Sequence, residues 1–282
     1  MVRCETMDDD SVLSRSLAGV RVVSLATNLP GPSAVATLRD LGAAITKIEP
    51  PGGDALAAAS PGWYAALHRD VTIVHLDCKE PAGRSRCDTL LAQADLLFVA
   101  SRPASLERLH LDWPRVHADH PQVCMVSIVG ERPPHAERPG HDLTYVARQG
   151  LVRPPDLPTS LLADLGGAQH AVGVALALLL ARAKNGIGSH AYVALAEAAE
   201  HFAEPLRYGL TAPRGVLGGA HPGYRCYRVR DGWIAVAALE AAFVQTLARE
   251  LGDDLVAAFA VDDTRTWEAW GAAHDVPIAA VR

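Results

Sequence analysis

What this chain lacks narrows its chemistry first. Its five cysteines (Cys4, Cys78, Cys87, Cys124 and Cys226) are odd in number, widely spaced and never in a CxxC step, which argues against a disulfide framework or a structural zinc site. That usage predicts a reducing, cytoplasmic setting. Lysine is scarce, three residues against 23 arginines, and the formal net charge is −6. With no global positive field to attract nucleic acid, an anionic ligand has to be met by individual cations. The longest uncharged apolar stretch, residues 171–181, is short of the ~20 residues a bilayer requires, so no membrane span is expected. Residues 1–16 are polar, include Asp8, Asp9 and Asp10, and lack the apolar core of a secretory signal. This segment is expected to be a disordered tail.

Several common catalytic signatures are also missing. No GxGxxG follows the first predicted strand, which removes the phosphate fingerprint of a nicotinamide or flavin enzyme. Neither GxxxxGK[ST] nor GxSxG occurs, which disfavours P-loop nucleotide hydrolysis and an α/β-hydrolase serine. His110, His117 and His120 stand among arginines and acids on a predicted surface helix and read as a solvated face, so no metal site is expected.

What is present is a chain of 282 residues, 49% hydrophobic and 21% charged, enough apolar content to build one large domain or two smaller ones. Short β-branched runs alternate with helix-length segments, the order of a parallel sheet with crossover helices. Strands are predicted at 20–25, 44–49, 71–76, 96–99 and 123–128. The intervening helices fall near 33–41, 82–93 and 113–119, giving a sheet of about five strands. A proline-rich loop then leads to a short helix near 141–149, and residues 165–184 form a long, nearly all-apolar helix expected to be buried and stopped by Asn185-Gly186. Residues 192–195 are a candidate strand and 196–210 a linker helix. Beyond them, 224–229 and 233–237 flank an Asp231-Gly232 turn as a hairpin, followed by helices near 241–251 and 266–274. The predicted fold is α/β: a disordered tail at 1–16, a Rossmann-like large domain at 17–189, linker helices at 190–222 and a small α+β domain at 223–282.

Three acid or base side chains sit where an apolar, structured run meets a loop: His141 in Pro139-Gly140-His141-Asp142, Asp164 in Ala163-Asp164-Leu165-Gly166-Gly167, and Glu240 after Ala237-Ala238-Leu239. Asp164 stands where the long helix begins. A helix N-terminus favours an anion there, an ordinary N-cap explains it equally well, and Gly166 and Gly167 would let a ligand approach the backbone. Lys47 and Arg102 fall at the carboxyl ends of predicted parallel strands, where ligands bind in such sheets.

These residues carry a resemblance. Leu17-Ala18-Gly19-Val20-Arg21-Val22-Val23, Pro30-Gly31-Pro32 and Leu38-Arg39-Asp40-Leu41-Gly42-Ala43 through Lys47-Ile48-Glu49-Pro50-Pro51-Gly52-Gly53-Asp54 resemble the opening of the family III CoA-transferases (the CaiB/BaiF family), which includes the α-methylacyl-CoA racemases. The likeness continues through Ser101-Arg102-Pro103, Arg138-Pro139-Gly140-His141-Asp142, Leu162-Ala163-Asp164-Leu165-Gly166-Gly167 and the segment ending at Glu240. It implies the fold of that family, here C-terminally short, and a homodimer. It implies an acyl-CoA thioester as substrate, CoA being the substrate moiety and no further cofactor. It also implies Asp164 as a proton-transfer group or, in a CoA-transferase, as the acyl-accepting nucleophile.

Gly140-His141-Asp142 and the glutamate at Glu240 resemble the racemase branch, where the histidine works opposite the aspartate with the glutamate in support. Lys47 and Arg102 are implied as contacts to CoA phosphates; the chemistry of α-proton removal also asks for backbone N–H donors to the enolate oxygen, and Gly166 and Gly167 are the candidates for that role. Where the family carries a basic run before the third strand, this chain has His68-Arg69-Asp70. Two further readings stay open beside the racemase: a CoA-transferase, and an acyl-CoA-binding paralogue without activity.

Overall fold

The computed structural model describes residues 12–282. Residues 1–11 of the expected tail lie outside the described residues. Residues 12–16 do not continue it: they lead into a turn in which the Ser16 hydroxyl and the Leu17 N–H both donate to Leu41 O, and Leu17 is buried in the main core.

The described residues divide into two compact units between Phe202 and Ala203. The first is built on β1 (Arg21–Ser24), α1 (Pro30–Asp40), β2 (Ala44–Glu49), α2 (Ala55–Ala59), α3 (Pro61–Leu67), β3 (Thr72–His75), α4 (Pro81–Leu91), β4 (Leu96–Val99), α5 (Pro103–Arg108), α6 (Trp113–Asp119), β5 (Cys124–Val129), α7 (Asp142–Arg148), α8 (Leu162–Asn185), β6 (His190–Ala194) and α9 (Leu195–Phe202). Its sheet has six parallel strands in the order β3-β2-β1-β4-β5-β6. β4 (Leu-Leu-Phe-Val) and β5 (Cys-Met-Val-Ser-Ile-Val) are buried along their whole length, as central strands covered on both faces must be, whereas the edge strand β3 is partly open.

The sixth strand lies beyond the expected five. Its register, Met125 opposite His190 to Val129 opposite Ala194, draws residues 190–202 out of the expected linker and into the large unit. Helix α8 also differs from expectation, beginning at Leu162 so that Asp164 falls inside its first turn, while its N-cap is Leu161. By length and composition this helix is apolar enough to cross a membrane. In the fold it buries one stripe, Ala163, Gly167, Ala168, Ala171, Val172 and Ala175, and leaves Leu180 exposed. The expectation of a fully buried helix gives way to one-sided packing, because small residues at helical spacing are what let α1 and β5 approach.

The second unit contains α10 (Glu204–Arg207), β7 (Tyr224–Arg228), β8 (Trp233–Ala237), α11 (Ala241–Leu251), α12 (Leu255–Phe259), α13 (Thr264–Ala273) and β9 (Ile278–Ala280). β7 and β8 pair antiparallel, Arg228 opposite Trp233, and β9 adds to β8. Its own core gathers Tyr227, Ile234, Val236, Leu247, Phe259 and Trp267.

Candidate active site

Neighbouring strands β1 and β4 leave the sheet for connections that run in opposite directions, and in open α/β sheets such a reversal opens a crevice at the strands' carboxyl ends. A cleft of about 460 Å3 lies there. Thr27, Asn28 and Pro30 after β1, Ser101 and Arg102 after β4, and Val129 and Gly130 at the end of β5 line it, together with Arg138, His141, Tyr145 and Asp164. The loop carrying Arg138 to His141 is tied to this end of the sheet by Glu137, whose carboxylate accepts the Ala104 N–H at 2.8 Å in the first turn of α5.

In dinucleotide enzymes of this strand order the first helix offers its N-terminal N–H groups to a pyrophosphate. Here α1 begins Pro30-Gly31-Pro32, so two of its first three residues have no N–H to give. Gly31 is required by closeness, since a Cβ there would collide with Ala26. An anion in the cleft must instead be met by side chains. Arg102 is exposed at the N-cap of α5 and has no ion-pair partner among the described residues. Arg138 faces the same cleft, its guanidinium 3.4 Å from Glu131, whose other carboxylate oxygen is taken by Arg148 at 2.7 Å. Arg138 was not singled out from sequence. Its signal was only its place two residues before Gly140.

His141 and Asp164 reach the cleft from the starts of two helices. His141 is the N-cap of α7, held by a reciprocal pair with Thr144: its N–H donates to Thr144 Oγ1 at 3.2 Å and its carbonyl accepts from that hydroxyl at 2.8 Å, while the imidazole stays exposed and lines the cleft. The next residue, Asp142, is buried and accepts the Asp164 N–H at 3.0 Å, pinning the first turn of α8 to α7. Adjacent residues thus divide the work, one presenting a base and the other anchoring the facing helix.

Burial, reinforced by the Asp142 carboxylate, pushes the Asp164 carboxyl up to about 6, against a smaller opposing pull from His141. The helix N-terminus had been expected to favour the anion, and burial beside a second carboxylate outweighs it. Tyr145 also faces the cleft, four residues after His141 on the same side of α7, and its hydroxyl fits because Gly130 and Gly140 have no Cβ to meet it. Burial first, then Glu131 and Asp164, raise the phenol and keep it a proton donor at neutral pH. The helical spacing from His141 was the signal that could have found it.

Lys47 is elsewhere. It is fully buried, and its ammonium meets Glu49 at 3.0 Å, the Asp54 carboxylate, and His68 Nε2 at 2.8 Å. The His68 Nδ1–H donates to Tyr64 O at 2.7 Å, which leaves Nε2 as an acceptor and gives each of the three ammonium protons a partner. An ammonium so enclosed has no donor left for a phosphate, and His68, standing in place of the family's basic run, is its buried partner. Burial first, then Lys47, depresses the His68 pKa despite opposing contributions. Glu49, Asp54 and His68 have the donor set of a metal site, and Lys47 fills its centre.

Gly166 and Gly167 likewise take a different part from the one expected. Both lie inside α8 with their N–H groups in the helical ladder, and a Cβ would strike the Phe202 ring at Gly166 and the Leu195 side chain at Gly167. They permit α9 to pack closely and present no donors to the cleft. Glu240 belongs to the second unit, where it is the exposed N-cap of α11 and makes no side-chain capping bond. The cleft of the first unit therefore brings together His141, Asp164 and Arg102 of the residues expected from sequence and adds Arg138 and Tyr145, while Asp142, which does not line it, anchors the Asp164 backbone.

Comparison with known proteins gives a consistent picture. The sequence profile of CoA-transferase family III matches residues 17–282. The α-methylacyl-CoA racemase of Homo sapiens is 30% identical over 270 residues, covering 88% of this chain and 69% of that protein. The succinyl-CoA:L-malate CoA-transferase β subunit of Chloroflexus aurantiacus is 27% identical over 271 residues, covering 86% of this chain and 67% of its own length. A crystal structure of a CaiB/BaiF family protein from Brucella suis matches with a TM-score of 0.81 and 25% identity, over 95% of this chain and 84% of that one. Across eight of its curated relatives the chain spans between 52% and 74% of the relative's length.

Proposed function

The chain belongs to CoA-transferase family III, and from that premise we propose that it epimerises the α-carbon of 2-methylacyl-CoA thioesters by proton transfer between His141 and Asp164. The observation that carries this reading is a carboxyl poised at about 6 in the same cleft as an exposed imidazole. Epimerisation needs one group to take the α-proton and another to return a proton to the opposite face, each with a pKa near the working pH. CoA enters as part of the substrate, its phosphates met by Arg102 and Arg138. The Tyr145 hydroxyl donates to the thioester oxygen as negative charge develops on it, the interaction that lowers the barrier to an enolate. Each positioned acid or base contributes about 10²–10⁴-fold in rate.

A second reading has support of its own. The Asp164 carboxylate accepts no hydrogen bond from any described residue and opens on the cleft, as a nucleophile for acyl transfer must, and named CoA-transferases match this chain at an identity close to that of the racemases. Incubation with a 2-methylacyl-CoA in D₂O, with and without a free carboxylic acid, separates the two. Epimerisation gives α-deuterium without any acceptor, lost in His141→Ala. No incorporation rejects it. Acid-dependent movement of CoA, with a hydroxylamine-trapped adduct absent from Asp164→Ala, would establish transfer in its place, and binding of the thioester with neither reaction would leave the inactive paralogue.

A further inference from the structure

The buried cluster around Lys47 lies outside the cleft, yet one of its members reaches the cleft wall. Asp54 is fully buried in its side chain and divides its two carboxylate oxygens. Oδ2 takes the Lys47 ammonium, while Oδ1 accepts the backbone N–H of Asn28 and that of Leu56, each at 3.0 Å. Asn28 lines the cleft between β1 and α1 with φ of 64°, a left-handed conformation that an L residue adopts only when its surroundings hold it there. The helix that follows opens with two prolines and brings few N–H groups of its own to fix the turn.

We propose that Asp54 is a positioning residue for the cleft: held by Lys47, it grips the Asn28 N–H and so presets the Thr27 to Pro30 wall in the shape that receives the CoA moiety. The inference rests on the function proposed above and deepens it. Charge arithmetic supports the division of labour. With the imidazole neutral, Lys47 faces the two anions Glu49 and Asp54, and Glu49 is further stabilised by the Tyr64 hydroxyl at 2.8 Å. Glu49 alone is therefore sufficient to neutralise Lys47, and the second carboxylate is the one whose other oxygen, Oδ1, holds the cleft loop. Burial opposes ionisation of Asp54, and the bonds from Lys47, Leu56 and Asn28 together still hold it below its ordinary value, so it remains an acceptor at neutral pH.

Because Asp54→Ala leaves a balanced Lys47 and Glu49 pair, it is the variant expected to fold. Calorimetric titration with CoA, steady-state kinetics and amide hydrogen exchange are compared with the parent. Asp54→Ala is expected to bind CoA at least tenfold more weakly, to raise KM with kcat within twofold, and to speed exchange in peptides spanning 25–31 while those of β4 and β5 keep their protection. Asp54→Asn, which retains an acceptor oxygen, recovers part of the affinity. A second pair changes no side chain of the buried cluster: at the exposed Asn28, Asn28→Val, whose branched side chain resists positive φ, weakens CoA at least tenfold, and Asn28→Gly recovers most of that loss. Unaltered CoA affinity in Asp54→Ala, or equal affinity in the two Asn28 variants, overturns the proposal alone. A parent chain that does not bind CoA overturns it together with the function on which it rests.

Discussion

Asp164 carries a carboxyl whose ionisation is costly in place, and the cost has a sign that can be measured. Its folded pKa of about 6 lies above the ordinary 3.8, so the folded chain holds the proton more tightly than the unfolded chain does. The stability this gives is full below pH ~4 and lost as pH rises through 6; above that the buried anion opposes folding. Asp164→Asn is therefore expected to be more stable than the parent at pH 7.5, by about 1–3 kcal/mol in urea unfolding, with the difference vanishing toward pH 4. Asp142→Asn removes the second cause of the shift and keeps an acceptor oxygen for the Asp164 N–H. The acidic limb of its pH–rate profile is expected to move to lower pH, and an unmoved limb would show that a different group sets it. His141, Asp164 and Arg102 were legible because each stands at the end of a strand or the start of a helix in a recognisable motif. Lys47 stood in such a motif as well and was misread, because a one-dimensional pattern shows that a cation is near a strand end but not which side of the sheet its ammonium is drawn to.

At the scale of single elements, the contact between α8 and α9 assigns Gly166 and Gly167 to packing. Gly166→Ala drives a methyl group into the Phe202 ring and is expected to cost about 1–3 kcal/mol in unfolding experiments while CoA affinity stays within twofold. Weakened CoA binding at full stability would return the glycine to the ligand. Most elements followed from hydrophobic period and punctuation, and the first strands and helices stand within a few residues of expectation. The start of α8 did not. Its leading turn is set by Asp142, 22 residues earlier, taking the Asp164 N–H, a partner that no local signal around Leu161 announces. The sixth strand was half legible for a similar reason. Its sequence, His-Ala-Tyr-Val-Ala, has β character, but its place beside β5 depends on a pairing more than sixty residues apart in the chain.

Among the described residues no buried apolar cluster draws on both sides of the break at Phe202 and Ala203: the main one, around Leu38, Phe98 and Val126, lies in the first unit, and the second unit has its own. Phe259, fully buried against Tyr227 and Trp267, is the centre of the second. Phe259→Ala is expected to cost about 3–5 kcal/mol, read as lost hydrogen-exchange protection across residues 224–280 with the strands of the first unit still protected. Uniform loss across both units would mean that they unfold as one. From the sequence alone came the α/β class, the family likeness, and a histidine, an aspartate and an arginine at the edges of elements, because these depend on periodicity, on turn chemistry and on residue order. Only the tertiary structure decided which of them share a cleft, that Lys47 is spent on a buried charge cluster, that two glycines serve helix packing, and that Asp164 is tuned by burial beside Asp142. Those are properties of distance and desolvation between segments far apart in the chain, and local order along a polymer does not encode the dielectric surroundings that folding creates.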